Sequence, residues 1–282
     1  MTTFFNRQVQ VVIDAGRGSL IELNPELSVS FSVRKNRSQT PNEFDLDIAN
    51  LAPTSKQALK QANAKVLLKA GYEPDAGVLA VGTVVRSATS WLDADSVTKV
   101  QLLDGVLTLD NTNVSLYLPP NTSVAQAVEV IAGQMGIQFS IGNSVAVNNR
   151  FTTGYSYVGK VAKALSEVAR RGGARWSIQN GVLVVAGAAD KTTPVLELTA
   201  NSGLLARPEE IESTVVSDRV IKGRLPVRGY QLTCLLLPSL NPHNYVRVKS
   251  RELDATLVVD EVFHEGGNRQ DTMTTRLTVY EQ

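Results

Sequence analysis

The sequence predicts a mainly β protein with a small α+β module in its middle. In the first third of the chain, apolar and polar residues alternate with a period of two, as at Val29–Val33 and Phe44–Ile48. The middle changes to a helical period, and the last third returns to short apolar runs punctuated by prolines. Period-two alternation buries one face of a strand and leaves the other in water, which is typical of antiparallel sheets.

Length and composition limit the possible functions. With 282 residues, the chain is long enough for two or three domains with their own cores. A net charge of +1 argues against a protein selected overall to bind nucleic acid or an anionic membrane. A single cysteine, Cys234, excludes an internal disulfide, and with two histidines a metal site would depend on carboxylates. No cofactor or metal site is predicted.

Targeting signals are not apparent either. The longest apolar runs have the length of strands, so no membrane insertion is predicted. The N-terminal residues MTTFFNRQVQ lack an apolar core behind a basic start, which argues against a secretory signal. We therefore expect the protein to be made in the cytoplasm.

The first region, residues 1–114, is predicted to form antiparallel strands in a barrel or sandwich. Its predicted strands are Val9–Ile13, Val29–Val33, Phe44–Ile48, Lys65–Leu68, Val78–Val85 and Thr98–Leu103. One short helix interrupts them. Thr54 has the position of an N-cap, and Gln57 follows at the spacing of a capping box.

The second region, residues 115–187, is predicted to contain two copies of a helix–strand unit. In the first copy Ser123 is the predicted N-cap, Gly136 the predicted stop, and a strand follows at Ile137–Ile141. The apolar positions repeat at helical spacing: Val124, Ala127, Val128, Ile131, Ala132 and Met135 in the first helix, and Val161, Ala164, Leu165, Val168 and Ala169 in the second. Two copies are too few for a solenoid, so a compact α+β module is predicted.

The third region, residues 188–282, is predicted to be β again. Its predicted strands are Tyr230–Leu237, Tyr245–Lys249, Leu257–Phe263 and Thr274–Tyr280. His264–Asp271 joins the last two strands and concentrates polar side chains around Gly266, Gly267 and Asn268. This segment is either a catalytic cluster or a polar hairpin tip. Because no second group at hydrogen-bond reach is apparent, the sequence favours the hairpin tip.

Other candidate sites have similarly simple explanations. Glu43, Asp45 and Asp47 share one strand face, which suggests acid–base chemistry or, more simply, a solvated face. Arg170–Gly173 either grips a phosphate or ends a helix, and the helix end is favoured. Gly16–Gly18 lacks the third glycine of a dinucleotide fingerprint, and Cys234 lies in an apolar run. We therefore predict that the protein is not an enzyme.

Several segments resemble the baseplate hub protein of contractile-tailed bacteriophages, a tail-tube-like family related to the hubs of secretion-system spikes. These segments are residues 41–72, Asn201–Glu209, Leu236–His243 and Val262–Asn268. Many hubs have P-x-L-x-P-G and V-x-H-x-G-D in the last two. This chain has His243 at the glycine of the first motif and Gly267-Asn268 for Gly-Asp in the second.

The resemblance implies two tail-tube-like antiparallel β-barrels flanking the α+β module. It further implies a structural virion protein: a homotrimeric hub in the tail baseplate that connects the tail tube protein to the central spike protein and contacts other baseplate proteins. DNA would pass through its channel without specific binding. Glu43, Asp45 and Asp47 are then candidates for the channel lining, although the same face could point outward. His264 takes a structural role.

Two alternatives remain open at this point. The protein could be a cell-wall-binding or peptidoglycan-degrading tail protein, with the helix–strand repeat as its carbohydrate module. It could also be a plain tail-tube subunit, which the middle module argues against because such a subunit needs only one barrel.

Overall fold

The structure is a computed structural model that describes residues 5–16, 18–105, 109, 112–143, 145, 149–187, 190, 192–213 and 227–281. Arg17 of the predicted Gly16–Gly18 turn and the predicted boundary at residue 188 lie outside these ranges. Within them, no helix has the length and apolar character that crossing a bilayer requires.

The described residues of the first third of the chain form seven strands: β1 Phe5–Asp14, β2 Leu20–Glu22, β3 Val29–Asn36, β4 Glu43–Ala49, β5 Lys65–Glu73, β6 Gly77–Leu92 and β7 Asp95–Leu103. Helix α1, Pro53–Leu59, lies between β4 and β5. Its N-cap is Ala52 rather than the predicted Thr54. The helix starts earlier because Pro53, with its fixed φ and no N–H to satisfy, suits the first helical position.

The middle of the chain forms these elements: β8 Asn113–Leu118, β9 Thr122–Ser123, α2 Val124–Met135, β10 Gln138–Ile141, β11 Arg150–Phe151, β12 Tyr155–Lys160, α3 Val161–Arg171, β13 Ala174–Gln179 and β14 Val182–Gly187. The Ser123 capping box and the left-handed Gly136 stop are confirmed. Strands β10 and β13, which follow the two helices, pair with opposite edges of β14.

The last third forms six strands in the described ranges: β15 Thr192–Leu198, β16 Glu209–Ser213, β17 Val227–Leu235, β18 Asn244–Lys249, β19 Asp254–Gly267 and β20 Thr274–Tyr280. A 3-10 turn, Ala200–Ser202, follows β15. Strand β19 is longer than predicted and extends past His264, which moves that residue out of the expected hairpin tip.

One large sheet joins the first and last thirds of the chain. Its strand order is β16-β17-β20-β19-β3-β4-β7-β6-β5-β1-β2, with β15 and β18 branching from β19. The mainly β prediction is therefore confirmed, but the two predicted barrels are not closed: the described strands of the first and last thirds form one open sheet. The sheet is continuous because β19 pairs with β3. We call this pairing the in-chain joint.

A four-strand unit occurs twice in this sheet. The first unit has the order β3-β4-β7-β6 and the second β16-β17-β20-β19, so each follows the order first, second, fourth, third along the chain. The ladder between the last two strands of each unit carries an irregularity at the same place, between Val84 and Arg86 in one and between Val259 and Glu261 in the other. The matching strand order and bulge identify the units as structural repeats.

The described residues form three hydrophobic clusters that stabilise the fold. The first lies under the strands of the first third and includes Phe44, the second fills the α+β module around Trp176, and the third lies under β17, β19 and β20 around Val262. Burial of each such large side chain contributes about 1.5–3 kcal/mol. Because Leu236 and Met273 from the last third belong to the first cluster, the two halves of the sheet share a core.

Candidate functional site

The large sheet has one buried face and one wet face. Side chains of the wet face alternate along seven neighbouring strands, from β17 to β6, and all are exposed or half-buried. We call this the polar face. Its residues are Gln231, Thr233, Thr274, Arg276, Thr278, Glu261, Phe263, Glu265, Ser30, Ser32, Arg34, Glu43, Asp45, Asp47, Lys99, Gln101, Arg86 and Ala88.

Ion pairs cross between strands on the polar face. Arg34 Nε lies 3.2 Å from Glu261 Oε1 across the in-chain joint, and Arg276 Nη2 lies 2.7 Å from Glu265 Oε1. Both guanidinium groups also lie over the ring of Phe263, at 5.7 and 5.0 Å from its centroid. Because these groups are well exposed, each pair contributes at most about 1 kcal/mol. Their main effect is to neutralise charge on this face.

Glu43, Asp45 and Asp47 lie together on the polar face, as the alternation predicts. Their strand β4 has the burial pattern of a half-buried strand, with Phe44, Leu46 and Ile48 in the core. Asp47 lies 3.9 Å from Lys99 of β7, and Asp45 is opposite Gln101. A shallow depression of about 410 Å³ runs beside Asp45 and Asp47. The two carboxylates are open to solvent, without an enclosing cleft.

His264 lies inside β19 and is fully buried, so the prediction that it forms part of the hairpin tip is wrong. Its Nδ1 lies 2.8 Å from Thr275 Oγ1 on β20. Burial, followed by the charge of Lys35, holds the pKa of His264 well below its usual value, so the ring is neutral. A neutral, buried imidazole bonded to a threonine is a structural group.

The turn after β19 begins at Asn268, and the two preceding glycines also belong to the strand. A Cβ on Gly267 would lie 2.4 Å from the carbonyl oxygen of Val29, and one on Gly266 would lie 2.6 Å from Met273 Cγ. The glycines therefore permit close contact at the end of the in-chain joint. Strand β19 extends beyond its apolar run because it pairs with β3 as far as Gly267.

Asn268 fastens this turn to the segment before β3. Its Oδ1 accepts from Val29 N–H at 3.0 Å, and its Nδ2 donates to the carbonyls of Pro25 at 3.1 Å and Leu27 at 2.6 Å. An aspartate would accept the first bond but could donate neither of the others. The asparagine that departs from the family pattern thus fits its surroundings in this chain.

A buried polar junction, which the sequence did not indicate, connects the α+β module to both halves of the sheet. The side chain of Asn42 donates to Ile178 O at 2.9 Å and Gln179 Oε1 at 3.0 Å. Asp104 accepts from the N–H groups of Asn180 and Gly181 at 2.6 and 3.0 Å. No local pattern could have predicted this junction, because its partners are more than seventy residues apart.

Lys35 extends the junction to the last third of the chain. It is buried, and its Nζ donates to Asn241 Oδ1 at 2.8 Å. Burial lowers the pKa of Lys35 to about 8, and the nearby carboxylate of Asp104 partly opposes this shift. Burial likewise raises the pKa of Asp104, against the N–H donors that favour its charged form. A buried amine and a buried carboxyl therefore support each other between the three regions.

The remaining residues that the sequence suggested as functional have structural roles. Arg170 and Arg171 end α3, and the ring of Phe151 lies 4.7 Å from the guanidinium of Arg171. Cys234 is buried in the third hydrophobic cluster, and burial raises the pKa of its thiol to about 12. Among the described residues, no group of three His, Cys, Asp or Glu side chains could hold a metal ion.

Each four-strand unit has an open edge strand in the described part of the chain. Residues 86–92 of β6 have ladder partners only in β7, and β16 has them only in β17. Unpaired N–H and C=O groups on such edges are ready to bind another strand. Exposed apolar side chains accompany them: Val85 and Trp91 on β6, and Leu205 just before β16. We call these the open edges.

Solved structures with the same fold come from phage tails and secretion systems. A tail protein from Neisseria meningitidis MC58 is 13% identical, with a TM-score of 0.68. The match covers 99% of this chain and 97% of the Neisseria chain. A 43 kDa tail protein of prophage MuSo2 from Shewanella oneidensis is 13% identical with a TM-score of 0.63, covering 96% and 98%.

A third is a component of the type VI secretion system of E. coli, similar in structure to the T4 tail proteins gp27 and gp5. It is 14% identical, with a TM-score of 0.62. The match covers 98% of this chain and 77% of the E. coli chain. No protein-family model and no curated protein matches the sequence. The predicted resemblance to tail hub proteins is therefore confirmed at the level of the fold.

Proposed function

We propose that the protein is a baseplate hub, a structural tail protein that joins the tail tube to the central spike as a ring of three copies around a channel. The observation that carries this proposal is the repeated four-strand unit with its two open edges. One chain supplies two units and leaves open the outer edge of β16 and the second half of β6. A sheet of this kind is suited to continue into another copy of itself.

The strand directions favour such a ring. Every neighbouring pair from β16 to β6 is antiparallel, and the path contains eight strands. Because the number of strands is even, β6 of one copy would be antiparallel to β16 of the next copy. The junction between copies would then have the same strand directions as the in-chain joint. Three copies then present six units. This number matches a six-fold tube on one side and a three-fold spike on the other.

The polar face is our candidate for the channel lining. It carries five acidic side chains, Glu43, Asp45, Asp47, Glu261 and Glu265, against four basic ones, Arg34, Arg86, Lys99 and Arg276. Three of these basic side chains, Arg34, Lys99 and Arg276, form ion pairs. Duplex DNA has one phosphate charge per ~1.7 Å of axis, so a basic lining would hold it. A nearly neutral, slightly acidic lining lets it pass without specific binding.

The α+β module, residues 115–187, is expected on the outside of the ring. Its helices bury their apolar stripes within its own hydrophobic cluster, so it needs no further cover from the channel side. The outward side chains of α3 include Lys163 and Arg170, both exposed. These side chains are available for contacts with other baseplate proteins.

Stoichiometry tests this proposal most directly. The protein should be purified in complex with its tube and spike proteins, and the mass of the complex measured by light scattering together with an electron microscopy map. We expect three copies, with the polar face on the channel and the module outside. Six copies in six-fold symmetry, or a map with the module in the channel, would contradict the proposal.

An enzymatic alternative has its own test. A hub has no peptidoglycan activity, so the pure protein should release no dye from labelled cell walls. Hydrolysis that disappears on replacing Asp271, Asp45 or Asp47 with alanine would support a cell-wall enzyme instead.

A further inference from the structure

The in-chain joint provides a template for contacts between copies. Strand β19 pairs with β18 through its first half and with β3 through its second half, while β20 occupies its opposite edge. Strand β6 has the same arrangement, with β5 on its first half and β7 on the opposite edge. The second half of β6 therefore corresponds to the part of β19 that pairs with β3, but its edge opposite β7 has no partner within the described chain.

The matching bulges fix how the two repeats align. Counting from the bulge, Val84 corresponds to Val259, and Thr89 therefore corresponds to His264. The pair Thr89–Thr98, with 3.0 Å between hydroxyls, occupies the place of the His264–Thr275 pair. The ladders from β20 through β17 to β16 match those from β7 through β4 to β3. In this alignment Glu210 of β16 corresponds to Val33 of β3.

From this alignment we infer that β6 of one copy pairs with β16 of the next copy in a defined register, with Ala88 opposite Ile211 and with Trp91 as the anchor that covers Pro208. This inference rests on the proposed function. In the in-chain joint the corresponding residues are Phe263 opposite Arg34 and Gly266 opposite Phe31.

The side chains at the open edges fit this register. In the in-chain joint, Gly266 of β19 is opposite the buried ring of Phe31 in β3. At the open edges the corresponding residues are Trp91 and Pro208, so the large ring belongs to β6 and the small residue to the strand opposite. Trp91 is 71% exposed, and Lys56 Nζ lies 5.1 Å from its ring centroid. Val85 and Leu205 are 51% and 53% exposed at the same two edges. The next copy would cover these apolar groups, which accounts for their exposure in a single copy.

Disulfide cross-linking tests the register. Paired residues of antiparallel strands have Cα atoms about 4.5–5.5 Å apart, within reach of a disulfide. The double variant Ala88→Cys/Ile211→Cys should therefore form covalent trimers under oxidation in assembled tails. The control Arg86→Cys/Glu209→Cys is four residues out of register, about 13 Å apart, and should not cross-link. The native Cys234 is buried.

Mass and cross-linking together separate the strand register from the proposed function. Three copies by mass with cross-linking only in the control pair would overturn the register and leave the proposed function intact. Absence of any three-copy complex, even with tube and spike proteins present, would overturn both. Cross-linking of Ala88→Cys/Ile211→Cys in a three-copy complex supports both.

Trp91 supplies a second measurement. The other tryptophan, Trp176, is 1% exposed, so only Trp91 changes environment on assembly. Tryptophan emission should shift to shorter wavelength when the complex forms, and Trp91→Phe should remove the shift. Trp91→Ala should weaken association at least about tenfold, as for other interface anchors. Leu20→Ala, which removes an equally exposed side chain from β2, should leave association unchanged. Unchanged emission and association in the tryptophan variants would overturn the anchor role.

Discussion

The ring of His264 and the hydroxyl of Thr275 face each other across β19 and β20, with 2.8 Å between Nδ1 and Oγ1. Thr275 Oγ1 also accepts from Leu237 N–H at 3.2 Å, which connects the pair to the chain after β17. The pair is buried between the strand that forms the in-chain joint and its neighbour. A histidine that looks catalytic in the sequence is therefore part of the framework.

Stability should fall as the pH falls below about 6.5. Burial holds the pKa of His264 well below its usual value and lowers that of His243 to about 3, where the charges of Arg37 and Arg175 add to the effect. Below pH 6.5 the unfolded chain binds protons that the folded chain does not. Each histidine then removes up to about 1.4 kcal/mol of stability per pH unit.

Urea unfolding at pH 7 and pH 5 measures this dependence. His243 has a φ of 73°, a conformation that asparagine tolerates, so His243→Asn should retain the fold and reduce the loss between the two pH values. An equal loss in the variant and the parent protein would show that His243 does not contribute.

Replacing Asn268 by aspartate should destabilise the protein by about 1–3 kcal/mol. The change removes the two amide donors to Pro25 and Leu27 and places a carboxylate against their carbonyl oxygens. Gln270→Glu makes the same chemical change at an exposed position of the same turn and serves as the control. Chemical denaturation would reveal the difference, and equal midpoints for the two variants would contradict the role of Asn268.

Replacing Gly267 by alanine should disrupt the in-chain joint. The new Cβ would lie 2.4 Å from a backbone oxygen of β3, and the strands must separate to admit it. We expect a loss of several kcal/mol or an insoluble protein, measured by thermal unfolding. Gly133→Ala in α2 meets no atom within 4 Å and should stabilise its helix by about 0.5–1 kcal/mol. A tolerated Gly267→Ala would mean that β3 and β19 are not closely paired.

Replacing Glu43, Asp45 and Asp47 together by lysine tests the channel lining. If these residues face the channel, particles should assemble but eject DNA poorly, and the defect should grow at low salt, where charges are less screened. The control replaces three exposed carboxylates away from the polar face, Glu22, Glu26 and Glu129, by lysine. Normal ejection from well-formed particles of the first variant would place the acidic strand elsewhere.

Several features follow from the sequence alone because neighbours along the chain determine them. Ser123, Gln126 and Gly136 define the ends of α2 through hydrogen bonds within three or four residues. The alternation at β4 correctly assigns Glu43, Asp45 and Asp47 to a wet face, since successive side chains of a strand point to opposite sides. The same rule fails at the end of β19, where polar residues and glycines continue the strand beyond its apolar run.

Only the tertiary structure decided which strands are neighbours. Alternation specifies that one face is buried, but not which strand lies beside it, and so it could not distinguish two closed barrels from one open sheet. The pairing of β3 with β19 joins residues more than two hundred positions apart, and it buries His264 and requires Gly267. The buried contact of Lys35 with Asn241 likewise depends on chain segments that meet only after folding. Contacts of this range depend on the whole fold, and no local pattern in the sequence records them.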